Sequence, residues 1–275
     1  MKKKHILTVL VTTFFVVLSV LAFDFRLDTV RYTVETGAEE EPFRIVLITD
    51  LHSCTYGGKD QSGLMEAVRA QKPDAVLLGG DIFDDNMPWD GAKTAIEQLG
   101  KEFSCFYISG NHEVRTRKLD EIKEIVKNCG ITVLEGGFVY AKELGGAQNI
   151  EIYGFDDTTL YENFYEQRKH MESTLEKGTE NAYRILLIHR PEHIAQYAEL
   201  GFDLVLCGHA HGGQWRIPGV LNGFYAPGQG FFPEYAGGYY KVENTELIVS
   251  RGLARESTPL PRIFNRPELV VIDIE

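Results

Sequence analysis

An α/β fold is predicted by two features of the sequence: five short aliphatic runs, each closing in Gly, Asp, Asn, His or Arg, and polar stretches of helical period lying between them. The runs are RIVLITD (44–50), DAVLLGGD (74–81), CFYISGNH (105–112), RILLIHR (184–190) and DLVLCGHAH (203–211). Strands this apolar are buried on both faces, so they belong to a sheet covered by helices. A third feature is a strand pair near 131–140 and 149–155, with strand-rich stretches at 238–250 and 269–274. These predict a second sheet packed against the first.

In chain order, Lys2, Lys3 and Lys4 precede an uncharged run over 6–23, rich in Val, Leu and Phe. That run just suffices to cross a bilayer, and the lysines predict an N-terminus held inside, with the rest of the chain outside the cytoplasm. An uncleaved anchor in the cell membrane and a cleaved signal leading to secretion both fit; a buried first helix would make the lysines accidental. Val30, Tyr32 and Val34 then alternate with Arg31, Thr33 and Glu35 as a half-buried strand, and 37–42 is an acidic linker. Helices are expected at 60–71, 90–100, 117–129, 163–176 and 191–200. With no long linker after residue 44, the chain divides into a membrane segment (1–23), a linker with the first strand (24–43) and one domain (44–275).

Composition narrows the function. The 275 residues carry 28 Lys+Arg and 40 Asp+Glu, a net charge of −12. Nucleic acid is therefore not expected as a partner, because phosphate backbones are held by clustered cations. Cys54, Cys105, Cys129 and Cys207 have no paired spacing and read as free thiols, which excludes a disulfide framework and a thiolate zinc site.

The five runs carry metal-competent side chains at their C-terminal edge, where open α/β sheets build their sites. In order these are Asp50 and His52 (DLH), Asp81 with Asp84 or Asp85 (GDIFDD), Asn111 and His112 (GNHE), His189 (IHRP), and His209 and His211 (GHAH). Five of the eight histidines fall in these blocks, so the alternative of a hydrogen-bonded core histidine would have to hold five times over. Pro191 keeps His189 on its strand end and off the helix of His193. Carboxylate, carboxamide and imidazole ligands without thiolate suit two divalent ions such as Mn, Fe, Zn, Co or Ni. One carboxylate must bridge two like-charged ions, and Asp81, in the middle of the constellation, is the natural bridge. A water shared by such ions becomes hydroxide near neutral pH, which makes solvent the nucleophile at phosphorus. His112, directly after Asn111, points beside the metals and is a candidate to protonate the leaving oxygen.

DLH, GDxxD, GNHE, a His closing an apolar run, and GHAHGGQ together resemble the calcineurin-like metallophosphoesterase superfamily, with all five motifs in order across 50–211. The resemblance implies a four-layer αββα sandwich and two metal sites. By motif position Asp50, His52, Asp81 and His211 would hold one ion, and Asp81, Asn111, His189 and His209 the other. His112 matches the superfamily's non-ligand catalytic histidine, and Asp84 matches the last Asp of GDxxD, a structural support; Asp85 reads as surface. SRGL (250–253) and PRIFNRPEL (261–269) look like the bacterial membrane-associated branch, some members of which cleave UDP-2,3-diacylglucosamine. Ala210 stands where Thr is commoner, and no ligand is lost by it.

The function expected is hydrolysis of a phosphomonoester, a phosphodiester or a lipid-linked pyrophosphate, with a phosphorylated small molecule or lipid as partner. The competing readings are a metal-binding scaffold that has lost turnover, and a nuclease, which the charge disfavours. Glu113 and Arg115 follow GNH; Arg115 and Arg190 read as solvated surface or structural pairing, with contact to substrate phosphate as the alternative. The aromatic, Gly-rich stretch 222–240 is either an apolar lip beside the metals, receiving an acyl chain or touching the membrane, or packing under a loop.

Overall fold

The computed structural model describes residues 2–36, 42–146, 149–255 and 260–275. Most of the linker expected at 37–42 lies outside the described residues. After an N-terminal helix α1 (Lys2–Ala22), the elements of the first half are β1 (Asp28–Val34), β2 (Phe43–Ile48), α2 (Ser62–Gln71), β3 (Ala75–Gly79), α3 (Asp90–Glu102), β4 (Cys105–Ile108), α4 (Asn111–Arg115), α5 (Leu119–Asn128) and β5 (Thr132–Val133). The second half follows with β6 (Gly137–Tyr140), β7 (Ile150–Gly154), α6 (Phe164–Leu175), β8 (Tyr183–Leu187), α7 (Ile194–Glu199) and β9 (Leu204–Cys207). A hairpin of β10 (Tyr225–Ala226) and β11 (Gly230–Phe231), then β12 (Gly238–Val242), β13 (Thr245–Val249) and β14 (Glu268–Ile274), complete it.

Two six-stranded sheets form, in the orders β1-β14-β2-β3-β4-β5 and β12-β13-β9-β8-β7-β6. Ile45, Leu47, Leu77 and Ile108 of the first face Ile152, Ile185, Leu187 and Leu206 of the second. The intervening side chains, Val46, Ile48, Val76 and Leu78, point outward onto Leu64, Val68, Ile96, Leu99, Ile122 and Val126 of α2, α3 and α5. On the opposite outer face Leu186, Val205 and Leu247 meet Met171, Ile194 and Tyr197 of α6 and α7. Every second residue of a central strand is thus in one core and its neighbour in another, which is why these strands read as unbroken apolar runs. In α3 the buried Ala92, Ala95, Ile96 and Leu99 stand at i, i+3, i+4 and i+7, the stripe a helix needs to cover a sheet. The result is the expected αββα sandwich.

The partition between sheets differs from expectation in three ways. The five runs are not one sheet: the first three are β2, β3 and β4, while RILLIHR and DLVLCGHAH are β8 and β9 of the other. The stretch 131–140 is divided, β5 pairing with β4 and β6 with β7. The stretch 269–274 inserts as β14 between β1 and β2 in the first sheet, parallel to one and antiparallel to the other. Runs buried on both faces carry no mark of which neighbour they hydrogen-bond, and a strand drawn from the far end of the chain has no local signal.

Helix α1 does not pack into the sandwich: only 6% of its apolar 18-residue window is buried. It is long and apolar enough to cross a membrane, and it is not a core helix of the domain.

Candidate metal centre

The strand ends of both sheets meet at one place. The turn after β2 carries Asp50 and His52, that after β3 Asp81 and Asp84, and α4 opens with Asn111 and His112. From the second sheet come His189 after β8, and His209 and His211 after β9. Asp50, His52, Asp81, Asn111, His189, His209 and His211 are each at most 4% exposed. Asp50, His52, Asp81, His209 and His211 all have positive φ, between 47° and 66°. Non-glycine residues take that conformation only where their surroundings impose it, and strain of this kind gathers at functional sites. Glycines make the close approach possible: a Cβ at Gly110 would overlap the Asp81 carboxylate, and one at Gly208 the Asp50 carboxylate.

The ligand-type atoms fall into adjoining groups, each within 4.8 Å: Asp50, His52 and His211 in one, and Asp81, His189 and His209 in the next. Asp81 Oδ2 lies 3.1 Å from His189 Nε2 and 3.7 Å from His52 Nε2, so it stands between the two. The Asn111 amide is 2.8 Å from His209 Nδ1. His52 Nε2 and His211 Nδ1 are buried without a hydrogen-bond partner, and Asp81 Oδ2 and His189 Nε2, which face each other at 3.1 Å, meet no partner in hydrogen-bond geometry. Unpaired buried polar atoms are costly, and four turned upon one small space are what divalent cations would satisfy. The donor set, oxygen and imidazole without sulfur, fits such ions as well.

Supporting contacts fix these side chains. Asp84 Oδ2 accepts from His52 Nδ1 at 2.7 Å, and the Gly79 carbonyl from His189 Nδ1 at 2.8 Å, so each ring keeps its Nε2 lone pair toward the centre. Asp50 accepts the backbone N–H of His209, joining the two sheets. His112 sits at the mouth, its side chain 17% exposed, its Nδ1 2.6 Å from Asp85 Oδ1 and its Nε2 3.2 Å from Arg115 Nη1. Asp85 is therefore not the surface residue expected; the turn of GDIFDD brings it back over His112.

Charge balance points the same way. Burial lowers the His189 imidazole, but the Asp81 carboxylate more than reverses this and pushes it up to about 10. Burial opposes protonation of His52 too, and Asp84, Asp81 and Asp50 together raise it. Asp81, despite burial, is held well below the usual carboxylate range by His189 and His52. Burial, with the neighbouring positive charge of His189 and Arg190 for one and of His52 and Arg262 for the other, holds His209 and His211 well below the usual imidazole range, hence neutral. The cluster is acidic enough to draw protons where cations would otherwise stand.

Residues 43–213 match the calcineurin-like phosphoesterase family. The chain is 30% identical over 248 residues to the phosphodiesterase YaeI of Escherichia coli (strain K12), covering 85% of this chain and 82% of that protein. The chain belongs to the calcineurin-like phosphoesterase family. A Bacillus subtilis (strain 168) relative, the uncharacterized metallophosphoesterase YkuE, is 28% identical over 90% of this chain and 86% of its own length. Among solved structures, TT1561 of Thermus thermophilus shares the fold with a TM-score of 0.52 at 11% identity, over 78% of this chain and 92% of that one. The NAD nucleotidase NadN of Haemophilus influenzae does so with a TM-score of 0.51 at 17% identity, over 79% of this chain and 46% of that one. As a calcineurin-like phosphoesterase the chain is a metal-dependent hydrolase of phosphoesters.

Three further residues brace this phosphoesterase centre. Glu113 is fully buried and accepts the backbone N–H groups of Asp81, Ile82, Phe83 and Gly110, clamping the β3 turn to the start of α4. Burial, with Asp81 nearby, pushes its carboxyl up to about 7 against those hydrogen bonds. Asn265, inside PRIFNRPEL, donates Nδ2 to the His211 carbonyl at 2.7 Å. Arg190 is bound by Asp157 at 2.8 Å and reaches His209 Nε2 at 3.3 Å, so structural pairing holds its guanidinium. The pairing of Arg190 is the one expected, the clamp of Glu113 had only its spacing after GNH as a signal, and Asn265 had none.

Proposed function

We propose that this chain hydrolyses phosphoesters with two divalent ions, Asp50, His52, Asp81 and His211 holding one and Asp81, Asn111, His189 and His209 the other. The observation that carries the reading is the set of unpaired buried donor atoms in two adjoining groups with Asp81 between them. When bound, two such ions supply Lewis acidity toward the phosphoryl oxygens and acidify water near neutral pH. The protein's own residues hold that site rigid. Asp84 and the Gly79 carbonyl fix the rings of His52 and His189, and the Asp50 carboxylate ties the GHAH turn to the first sheet. His112 stands at the mouth with Nδ1 on Asp85 and, as an imidazolium released from Arg115, would give a proton to the departing oxygen.

The name of the Escherichia coli relative supports a phosphodiester as the bond cleaved. Helix α1 supports a single-pass anchor over 1–23, with residues 44–275 as the catalytic domain outside the cytoplasm. The test is the full chain in detergent, stripped of metal, reloaded with Mn²⁺ and assayed on p-nitrophenyl phosphate, bis-p-nitrophenyl phosphate and a lipid pyrophosphate. Turnover that requires metal is expected, highest on the diester. A folded chain with two ions bound and no turnover of any of the three overturns the reading.

A further inference from the structure

We propose that the surface formed by Trp215, Ile217, Val220, Phe231 and Phe232 rests on the bilayer that holds α1; this rests on the anchor reading above. Outside the first 23 positions, nine large apolar residues are exposed among those described, and five of them lie between 217 and 232. Val220 is 82% exposed, Phe232 68%, Phe231 67% and Ile217 52%. Side chains of this size are not left in water together without a partner surface. They are also not loose. Trp215 stacks on Phe224 at 5.1 Å between ring centres, and Phe224 meets Phe231 and Phe232 at 5.3 and 5.7 Å.

The position of this surface relative to α1 identifies what covers it. The 19-residue span Lys4–Ala22, at about 1.5 Å rise per residue, covers roughly the hydrocarbon thickness, so the bilayer boundary falls at Ala22. There the Ala22 carbonyl accepts the N–H of Phe264 at 2.8 Å. Ile263, next in the chain, bridges to Trp215, whose indole donates to the Pro261 carbonyl at 3.0 Å. An unbroken series of contacts therefore runs from the membrane end of α1 through 261–264 to Trp215 and the aromatic hairpin. Trp215 is four residues from His211, and Phe224 N–H donates to the Gly213 carbonyl in the same turn, so the apolar face borders the metal centre. Trp at the boundary with Phe, Ile and Val beyond it is the composition that interfacial contact favours.

The experiment uses the full chain carrying Trp89→Phe, which leaves Trp215 as its single indole, in phosphatidylcholine vesicles with and without bromine on the acyl chains. Co-flotation with vesicles reports the anchor, and quenching of Trp215 reports the second contact. Loss of roughly half the Trp215 emission in brominated vesicles is expected, since an interfacial face sits within the acyl boundary. Phe231→Asp with Phe232→Asp, added to that chain, should abolish most of the quenching while flotation and hydrolysis of bis-p-nitrophenyl phosphate persist. Flotation with unquenched Trp215 overturns the surface and leaves the anchor standing. A chain that does not float overturns both.

Discussion

The two sheets contribute unlike halves to the metal centre. From the first come the carboxylates Asp50 and Asp81, the amide of Asn111 and one imidazole; from the second come three imidazoles alone, His189, His209 and His211. The first half is braced from within, by the Glu113 clamp and by Asp84 on His52. The second is braced against the first, through Gly79 on His189 and Asp50 on the GHAH turn. On the proposed reading one side would bring the charge that attracts cations and the other would complete their coordination with imidazole nitrogen, which requires the sheets to be in place before the site exists.

The comparison breaks hardest at Asp81, the residue facing both groups. Asp81→Asn should reduce bound metal below one ion per chain by elemental analysis and hydrolysis to background; two retained ions would show that the carboxylate is not shared. His112→Ala tests the mouth separately from the cage: turnover should fall by on the order of 10²–10⁴-fold with metal content unchanged. Support inside the first half is smaller in effect. Asp84→Asn should weaken metal affinity or activity about 10–100-fold, measured by titration of the stripped chain, because His52 keeps its place but loses its charged partner. Glu113→Gln replaces one acceptor oxygen by a donor facing N–H groups and should cost about 1.5–3 kcal/mol of stability in denaturant unfolding. The mildest test is pH. In the metal-stripped chain the His189 value of about 10 exceeds its ordinary 6.5, so its contribution is fully present below pH 6.5 and lost as pH rises through 10. Thermal unfolding across that window should show the decline, and His189→Gln should flatten it.

Much of the centre was legible because metal ligation needs particular atoms, and each block closes its strand with them. Asp50 and His52, Asp81, Asn111 and the three later histidines stand together as the motif order implied. What was not legible depends on distant backbone. Glu113 beside a histidine reads as a surface charge until four N–H groups from two turns are seen to converge on it. Asp85 reads as surface until the turn curls over His112. The division of five similar runs between two sheets follows from hydrogen-bond partners, which an apolar pattern buried on both faces does not encode. The apolar runs and the helical stripes between them gave a helix-covered sheet with a second sheet against it; the four-layer αββα order came from the family resemblance.

Strand β1 pairs with β14 in register along all seven residues from Asp28↔Glu268 to Val34↔Ile274, and β14 separates β1 from β2. The strand that follows α1 therefore has no sheet partner until residues 268–274 have been made and have docked. During synthesis that edge stays unpaired, and closure of the first sheet is a late, long-range event. The same pairing ties the segment that follows α1 into the sandwich by a hydrogen-bonded seam, so shortening the chain before Glu268 would leave β1 without its in-register partner.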